Sequence, residues 1–550
     1  MKGRPVRISF DETTIRCVVL CIIVGFVDDN GKMQQRVIKV GLYNEAPEEK
    51  LTNQMSDHIL TAIEETLLVP RTSIKVFTRD GVYLNELCML KLIGGVVIDP
   101  NTNKETKIRG FYPEAVNIKC MSHTLDNCGA DYTEKKIQFN RIEGSNAKKV
   151  YNLVNGLFSS PGEGSKLSWL SFAKTAMLSV SPTRWWSREE FWAYLLPYLR
   201  FDTTTDDHLW FDGWVKMRVG KIRADKKAVG NLLTKLEEMF VPGTSNHDSK
   251  FLVTAFIEIA VVVDITHKVR AATYVIEGDG PVAVMIVEIL DAIQRYYKTA
   301  YEEMEYQNVR RYIAQAVGLK ISPPGYVAPA LVLIEPTPDA IRNDGVDEDI
   351  PADVVDDVVD AAVDNLNLPR AEAEGTPIAC DLNLAWREYC LKISQPYMRY
   401  FDEKVMQHNC LPLWKAAGLA DPLNMQRETI TPRHLRETVE PLVGMLVTPA
   451  LIDRMISELS EYEKACTSLN WMSDSYEDRL KKVESFWACH KLLPAWTEYA
   501  HLVFLLQPTS ACVARSFSIL KYIMGDQQVS SLRDKIEASL MLRYNRGVKQ

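Results

Sequence analysis

The chain has 550 residues, more than a single simple core usually contains, so two or three structural units are expected. Its 46% hydrophobic and 25% charged residues are ordinary values for a globular protein. The longest apolar runs, Cys17–Val27 and Phe251–Val263, are shorter than the ~20 residues that a bilayer requires, so no membrane partner is expected. Eleven scattered cysteines and the lack of a signal-peptide pattern favour reduced thiols in the cytosol or nucleus.

The net charge of −8 is concentrated in one segment. Between Glu335 and Asp364 there are eleven acidic residues and one basic residue, Arg342, which leaves the rest of the chain weakly positive. Aspartate alternates there with valine, alanine and proline, a composition that repels itself and buries little surface. Residues 336–376 are therefore predicted to form an exposed, largely disordered acidic loop. A solvated spacer is one interpretation, and a partner-binding segment or a mimic of DNA phosphate is the other.

This interpretation predicts where the native protein is cut first. A nonspecific protease should cleave within residues 336–376 before it cleaves elsewhere, because unpacked backbone fits a protease site most readily. Mass analysis of the earliest fragments checks this. Protection equal to that of the core helices would contradict it and favour the partner-binding interpretation.

The first 130 residues alternate β-branched runs with helical patterns. The predicted strands are Val6–Phe10, Arg16–Val27, Val37–Leu42, Ile74–Thr78 and Asn117–Met121, and the predicted helices are Gln54–Leu67 and Leu84–Ile93. The order β-β-β-α-β-α-β is that of the ribonuclease-H-like fold, an α/β class. Three antiparallel strands come first, and a right-handed crossover then sets strand four beside strand one.

This topology brings two aspartates together. Asp11 and Asp80 follow strands one and four, so they should lie roughly 5 Å apart at one edge of the sheet. Such a pair attracts a divalent cation that prefers oxygen ligands, typically Mg²⁺, and a third carboxylate would complete a two-metal site for phosphodiester chemistry. The alternative is that both are ordinary turn or capping residues.

The C-terminal run Gln507–Asn545 carries the most specific pattern. Pro508, Thr509, Ser510, Ala511, Arg515, Phe517 and Ser518 resemble the C-terminal block of hAT-superfamily DNA transposases. The resemblance implies a helix whose glutamate is the third metal-binding carboxylate. In this chain that position is Ala514.

Further motifs resemble the same family in the same order. They are FDETT around Asp11, TRDGVYLN around Asp80, CMSHTLDN with Cys120 and His123, and TRWWS with Arg184, Trp185 and Trp186. The resemblance covers most of residues 1–200 and 484–550. It implies that an indole stacks on a base flipped out beside the cleavage site, a contact worth ~1–3 kcal/mol.

Two of these motifs also fit roles in local structure. Cys120-x-x-His123 is half of a zinc site, and no second pair follows at finger spacing, so a local structural role is favoured and zinc is not expected. Two adjacent tryptophans cannot both face one way on a helix, so either Trp185 or Trp186 is expected to be buried, and the sequence does not choose between them.

The predicted organisation is a ribonuclease-H-like domain in two parts, residues 1–145 and 485–550, with a mostly helical insertion domain at 146–484. The insertion contains a basic cluster with Lys216, Arg218, Lys221 and Arg223. These cations could neutralise phosphates along a DNA groove, or they could form a solvated helix face.

The resemblance leads to two functional hypotheses. This chain has Ala514 at the third position and shows no BED-type zinc finger of the kind that the family carries before the first aspartate. It is therefore expected to be a catalytically inactive transposase relative, a pseudoenzyme derived from a transposable element. It would still dimerise through the C-terminal block, bind Mg²⁺ weakly and have DNA as a candidate partner. Its expected location is nuclear or cytoplasmic, and no small-molecule cofactor is expected. The alternative is an active, metal-dependent transposase that uses Asp11, Asp80 and another acid, for which Glu537 is a candidate.

Overall fold

The computed structural model describes residues 3–14, 18–43, 47–98, 103–130, 147–159, 165–178, 185–200, 210–222, 227–241, 243–244, 248–303, 306–326, 377–472, 474–524 and 533–546. The chain is a mixed α/β protein in which helices predominate around one five-stranded sheet. The predicted acidic loop at 336–376 lies outside the described residues.

The five-stranded sheet comprises β1 (Val6–Thr14), β2 (Val18–Val27), β3 (Met33–Tyr43), β4 (Ile74–Arg79) and β7 (Val116–Lys119). Its strand order is β3-β2-β1-β4-β7. The first three strands pair antiparallel, and β4 pairs parallel with both β1 and β7. The predicted placement of strand four beside strand one is confirmed. The remaining strands, β5 (Gly94–Ile98) and β6 (Glu105–Arg109), form a separate antiparallel ribbon that the sequence did not predict.

Helices cover both faces of the sheet. On one face, α1 (Glu48–Thr61) and α2 (Tyr83–Leu92) pack over Ile8, Phe10 and their neighbours. On the other face, two C-terminal helices, α20 (Ala511–Met524) and α21 (Arg533–Arg546), pack over Val19, Cys21, Val37 and Val40. The β2 sequence VVLCIIVGFV is buried along nearly its whole length because both of its faces are covered.

Between β7 and the C-terminal helices, the described residues form a helical body. Its longer helices are α3 (Met121–Ala130), α4 (Ala147–Ser159), α5 (Ser165–Ala173), α6 (Trp185–Leu195), α7 (Phe211–Ile222), α8 (Lys227–Phe240), α9 (Ser249–Ile276), α10 (Ile286–Glu303), α11 (Gln307–Gly318), α12 (Pro377–Tyr400), α13 (Leu411–Ala417), α14 (Pro422–Arg427), α15 (Pro432–Val439), α16 (Pro449–Ser457), α17 (Leu459–Thr467), α18 (Tyr476–Cys489) and α19 (Pro494–Val503). Their core is continuous with Val116 and Ile118 of β7.

The long helix α9 is central to this body. Apolar residues occupy nearly all sides of its sequence, as expected for a helix surrounded by others. Asp248 caps its N-terminus by accepting hydrogen bonds from the backbone of Lys250 and Phe251. Within the part of the chain that the structure describes, no helix combines the length and apolarity needed to span a bilayer.

One predicted helix is shorter than expected. The pattern over 434–446 predicts a single helix, whereas α15 ends at Val439 and a short 3₁₀ turn, Glu440–Leu442, follows. Pro441 accounts for the difference, because a proline has no backbone N–H to continue the helical ladder.

Candidate active site

Two carboxylates meet near the C-terminal ends of β1 and β4. Asp11 lies in β1, and Asp80 directly follows β4, its parallel neighbour. The amide Nδ2 of Asn85, in the first turn of α2, donates to Asp11 Oδ1 at 3.2 Å and to Asp80 Oδ1 at 2.6 Å. One nitrogen bonded to both carboxylates holds their oxygens within about 6 Å of each other. The predicted convergence of Asp11 and Asp80 is confirmed.

Asp80 also shapes the local backbone. Its Oδ1 accepts a hydrogen bond from the Val82 backbone N–H at 3.0 Å, which turns the chain from β4 into α2. The neighbouring Arg79 side chain donates to the Asp80 carbonyl at 2.8 Å. Asp80 is 9% exposed, so these contacts fix the carboxylate in one position. Asp80 is therefore both a turn residue, as the alternative interpretation expects, and a member of the acidic pair.

A third carboxyl group, that of Glu12, adds to the charge at this edge. Burial, and next the charge of Asp80, raise the pKa of Glu12 to about 7. Burial, then Asp80 and then Glu12 raise the pKa of Asp11 well above its usual range. Glu12 Oε2 is buried without a hydrogen-bond partner among the described residues. Like charges this close resist simultaneous ionisation near neutral pH, so the edge favours a proton or a cation.

The raised pKa of Glu12 predicts a pH-dependent stability. In the unfolded chain a glutamate ionises near pH 4.5, whereas the folded protein holds the proton to about pH 7. The contribution of Glu12 to stability is therefore greatest below about pH 4.5 and is lost as the pH rises toward 7. The Glu12→Gln variant should match the wild type at pH 4.5 and exceed its unfolding free energy by about 3 kcal/mol at pH 8.

Urea unfolding across this pH range measures the effect. The exposed Glu65→Gln variant is the matched control and should follow the wild type at every pH. An equal advantage of Glu12→Gln at pH 4.5 and pH 8 would show that packing, not ionisation, is responsible.

The donor atoms at this edge suit a hard cation. Asp11 and Asp80 offer only oxygen, and Asn85 Oδ1 is buried without a hydrogen-bond partner in the described part of the chain. Turning the Asn85 amide over would direct this oxygen, instead of Nδ2, toward both carboxylates. Oxygen ligands of this kind are the ones that Mg²⁺ prefers. Within the described ranges, no three His, Cys, Asp or Glu side chains group closely enough to hold a metal ion.

Ala514 lies on the helix that covers the same region of the sheet. Ser516, in the next turn of α20, donates to the Cys21 sulfur at 3.1 Å, and Cys21 is the β2 register partner of Asp11. The helix thus crosses the strand pair that carries Asp11, with Ala514 half-buried in its first turn. A methyl group at this position supplies no oxygen ligand.

The surrounding frame of α20 is held firmly in place. Arg515 donates to the Glu277 carbonyl and to the Asp279 carboxylate, each at 2.7 Å, which ties α20 to the turn after α9. On the sheet side, Val513 and Leu520 are fully buried against β2 and β3. The helix is therefore positioned independently of any charge at residue 514.

Glu537, the other acid that the sequence suggests, is engaged elsewhere. On α21 it accepts a hydrogen bond from the Val40 backbone at 3.2 Å and lies 3.5 Å from the Lys39 ammonium group. Both partners belong to β3, which β2 separates from β1. Two strand spacings amount to about 10 Å, too far for a shared metal ion with Asp11.

Cys120 and His123 have different surroundings. The Cys120 sulfur accepts from the Ser510 backbone at 3.4 Å and lies 3.8 Å from the Thr509 hydroxyl, while Met121 N–H donates to the Pro508 carbonyl at 2.7 Å. These contacts attach α3 to the turn before α20, which is a structural role. His123 instead lines a cavity beside Gly81.

The candidate DNA-binding residues are only partly described. Trp186 is 4% exposed and belongs to the core of the helical body, so the expectation that one of the two tryptophans is buried is confirmed. On α7, Lys216 is exposed and Arg218 half-buried. Lys221 lies on α7 and Trp185 begins α6, whereas Arg184 and Arg223 lie outside the described residues.

Sequence reasoning missed Glu12 and Asn85. Both stand inside the motifs FDETT and TRDGVYLN that locate the aspartates. The spacing of Asn85 is a usable signal, since a polar residue in the first turn of the helix after β4 faces the end of that strand. Glu12 gives no such signal, because alternation along a strand sends it to the face opposite Asp11.

Comparison with known proteins adds no relative: no family model matches this chain, and no curated protein matches it significantly.

Proposed function

We propose that this chain is an hAT transposase-like protein with a ribonuclease-H-like fold interrupted by a helical insertion. In this proposal it no longer cuts DNA and retains DNA binding and self-association. The observation that carries the proposal is the Asp11–Asp80 pair on adjacent parallel strands beneath a helix that has Ala514 at the third acidic position.

The strand order supports the fold assignment. Three antiparallel strands followed by two parallel strands, in the order β3-β2-β1-β4-β7, place the two aspartates together as the ribonuclease-H-like fold requires. The C-terminal helix then returns across the sheet beside β1 and β2, although more than 380 residues separate it from β7. This return supports a fold whose two halves are divided by the helical body.

The missing carboxylate explains the expected inactivity. In two-metal chemistry the ions activate the attacking oxygen and stabilise the leaving oxygen of the phosphodiester. Asp11 and Asp80 can attract one cation, whereas the second requires a further charged ligand that Ala514 does not provide. Without both ions held rigidly, the electrostatic stabilisation that supplies most of the rate is lost.

A specific observation defines the competing hypothesis. Glu12 brings a third carboxyl to the same edge, and its Oε2 has no hydrogen-bond partner among the described residues. If the protein is an active transposase, Glu12 is close enough to act on the charge of Asp11 and Asp80, whereas Glu537 is bound at β3. A role as third ligand would still require Glu12 to turn toward the pair, because the described residues form no group of three acids that could hold a metal ion.

The retained functions have separate support. Lys216 is exposed on α7 and gives the insertion a cationic residue for a DNA backbone. On α21, Leu542 is 57% exposed while Leu540 is buried against the sheet, so the C-terminal block has one apolar side chain directed outward. This supports self-association through the C-terminal block.

One gel experiment tests binding and cutting together. A labelled hairpin-capable duplex incubated with the full chain and Mg²⁺ should shift on a native gel and remain intact on a denaturing gel. The double variant Lys216→Gln/Arg218→Gln should weaken the shift and reduce its salt dependence by up to about two ions. Lys235→Gln, an exposed lysine on α8, is the control. A chain that neither shifts nor cuts the duplex would contradict the proposal.

A further inference from the structure

A cavity of about 280 Å³ opens beside the acidic pair. It lies where the sheet meets the helical body: Gly81 follows Asp80, Lys119 ends β7, and His123 belongs to α3. Lys404 and His408 close the other side, in the turns after α12. None of the described residues that line the cavity carries a carboxylate.

His408 lines this cavity with a largely buried ring. The ring is 7% exposed and stacks on Trp414 with centroids 5.2 Å apart. Its Nδ1 accepts a hydrogen bond from the Cys410 backbone at 3.2 Å, so in the neutral ring the proton is on Nε2. Burial, with the charge of Lys119, lowers the pKa of His408 to about 4, which keeps the ring neutral. Nε2 is buried and has no hydrogen-bond partner in the part of the chain that the structure describes.

An unsatisfied buried N–H costs about 1–3 kcal/mol, so a ligand oxygen that reached Nε2 after a small rotation of the ring would be stabilised there. Two lysines at the cavity favour a negatively charged ligand. Lys404 is exposed at the cavity, and Lys119 is 39% exposed, with its ammonium 3.7 Å from Glu86 Oε1. Glu86 also lies 3.4 Å from Arg79, so its single charge is shared between two cations. The lining therefore carries a surplus of positive charge.

Gly81 makes the cavity accessible. A Cβ atom at this position would come within 3.0 Å of Lys119 Cε and 3.5 Å of His123 Cδ2. A side chain there would press against the lysine and narrow the space. The glycine thus keeps an opening between a lysine and a histidine.

We propose that this cavity binds the phosphate group of a phosphomonoester, either a free nucleotide or the phosphorylated end of a nucleic acid strand. The two lysines match the charge of the phosphate. The volume exceeds that of a phosphate alone and leaves room for part of the attached nucleoside.

Calorimetric titration of the full chain tests this. 2′-Deoxyadenosine 5′-monophosphate and inorganic phosphate should both bind, whereas 2′-deoxyadenosine should not. Lys404→Met should weaken binding about 10-fold, the loss of one charge-assisted contact. Gly81→Ala should weaken it several-fold without removing a charge. Lys392→Met, an exposed lysine on α12, should bind as the wild type does.

Absence of heat with both phosphate probes at millimolar concentration would overturn the proposal. So would a Lys404→Met variant that binds them as tightly as the wild type. Single strands with and without a 5′-phosphate identify the source of the phosphate. A phosphorylated strand that binds more tightly than the mononucleotide assigns the cavity to strand ends. Equal affinity for the phosphorylated strand and the mononucleotide assigns it to free nucleotides. The calorimetry requires neither duplex nor cleavage, so its failure leaves the proposed function standing.

Discussion

Replacing Arg479 by methionine is expected to lower the free energy of unfolding by about 3–5 kcal/mol. Arg479, on α18, is 3% exposed and its guanidinium pairs with the fully buried carboxylate of Asp421. The same Nη2 lies 2.6 Å from Glu288 Oε2 on α10. Methionine fills similar volume but leaves two acidic groups near each other without their shared cation. The loss of unfolding free energy therefore comes from uncompensated buried charge and not from a cavity.

Urea unfolding followed by tryptophan fluorescence measures this loss. Arg433→Met is the matched control, because Arg433 pairs with Glu437 at 2.7 Å on the exposed face of α15. Solvent screens that pair, so its removal should cost no more than about 1 kcal/mol. Equal losses in the two variants would show that Arg479 does not connect α10, α14 and α18 electrostatically.

The Ala514→Glu variant is expected to bind Mn²⁺ about 10-fold or more tightly than the wild type, since a further carboxylate raises the charge and the number of oxygen ligands. The turn at Pro508 and the Arg515 contacts already hold α20 over the strands that carry Asp11. The new side chain would start from a position set by the existing frame, so little reorganisation opposes binding.

Paramagnetic resonance of free Mn²⁺ during titration measures the affinity. Ala538→Glu adds the same charge to an exposed position on the neighbouring helix α21 and should leave the affinity unchanged. A similar gain of Mn²⁺ affinity in both variants would show that net charge alone explains the effect, and it would argue against a third-ligand position at residue 514.

The sheet could be predicted because its strands carry local signals. β2 is a continuous β-branched run, and the Asp28–Gly31 turn fixes its connection to β3. The exposed ribbon of β5 and β6 gave no such signal, since Glu105–Arg109 alternates neither burial nor polarity clearly. Local patterning thus identifies strands that bury a face and misses strands that do not.

The acidic pair was predictable, whereas its environment was not. Asp11 and Asp80 follow from strand order alone, because neighbouring strand ends converge. The position of Asn85 in the first turn of α2 is a local signal, but its bonds to both carboxylates depend on the angle at which α2 leaves β4, and tertiary packing sets that angle. In the same way, the Arg479–Asp421 contact and the His408 cavity connect segments that are far apart in the sequence, so no local pattern indicates them.

Strand cleavage tests the central claim, that Ala514 removes the chemistry from an otherwise intact frame, most directly. The wild-type chain, Asp80→Ala and Ala514→Glu are incubated with a labelled hairpin-capable duplex and Mn²⁺, and the products are separated under denaturing conditions. The expected result is that the wild type releases no more product than Asp80→Ala. Cleavage by the wild type that disappears in Asp80→Ala would contradict the claim and show that an acid other than residue 514 completes the site.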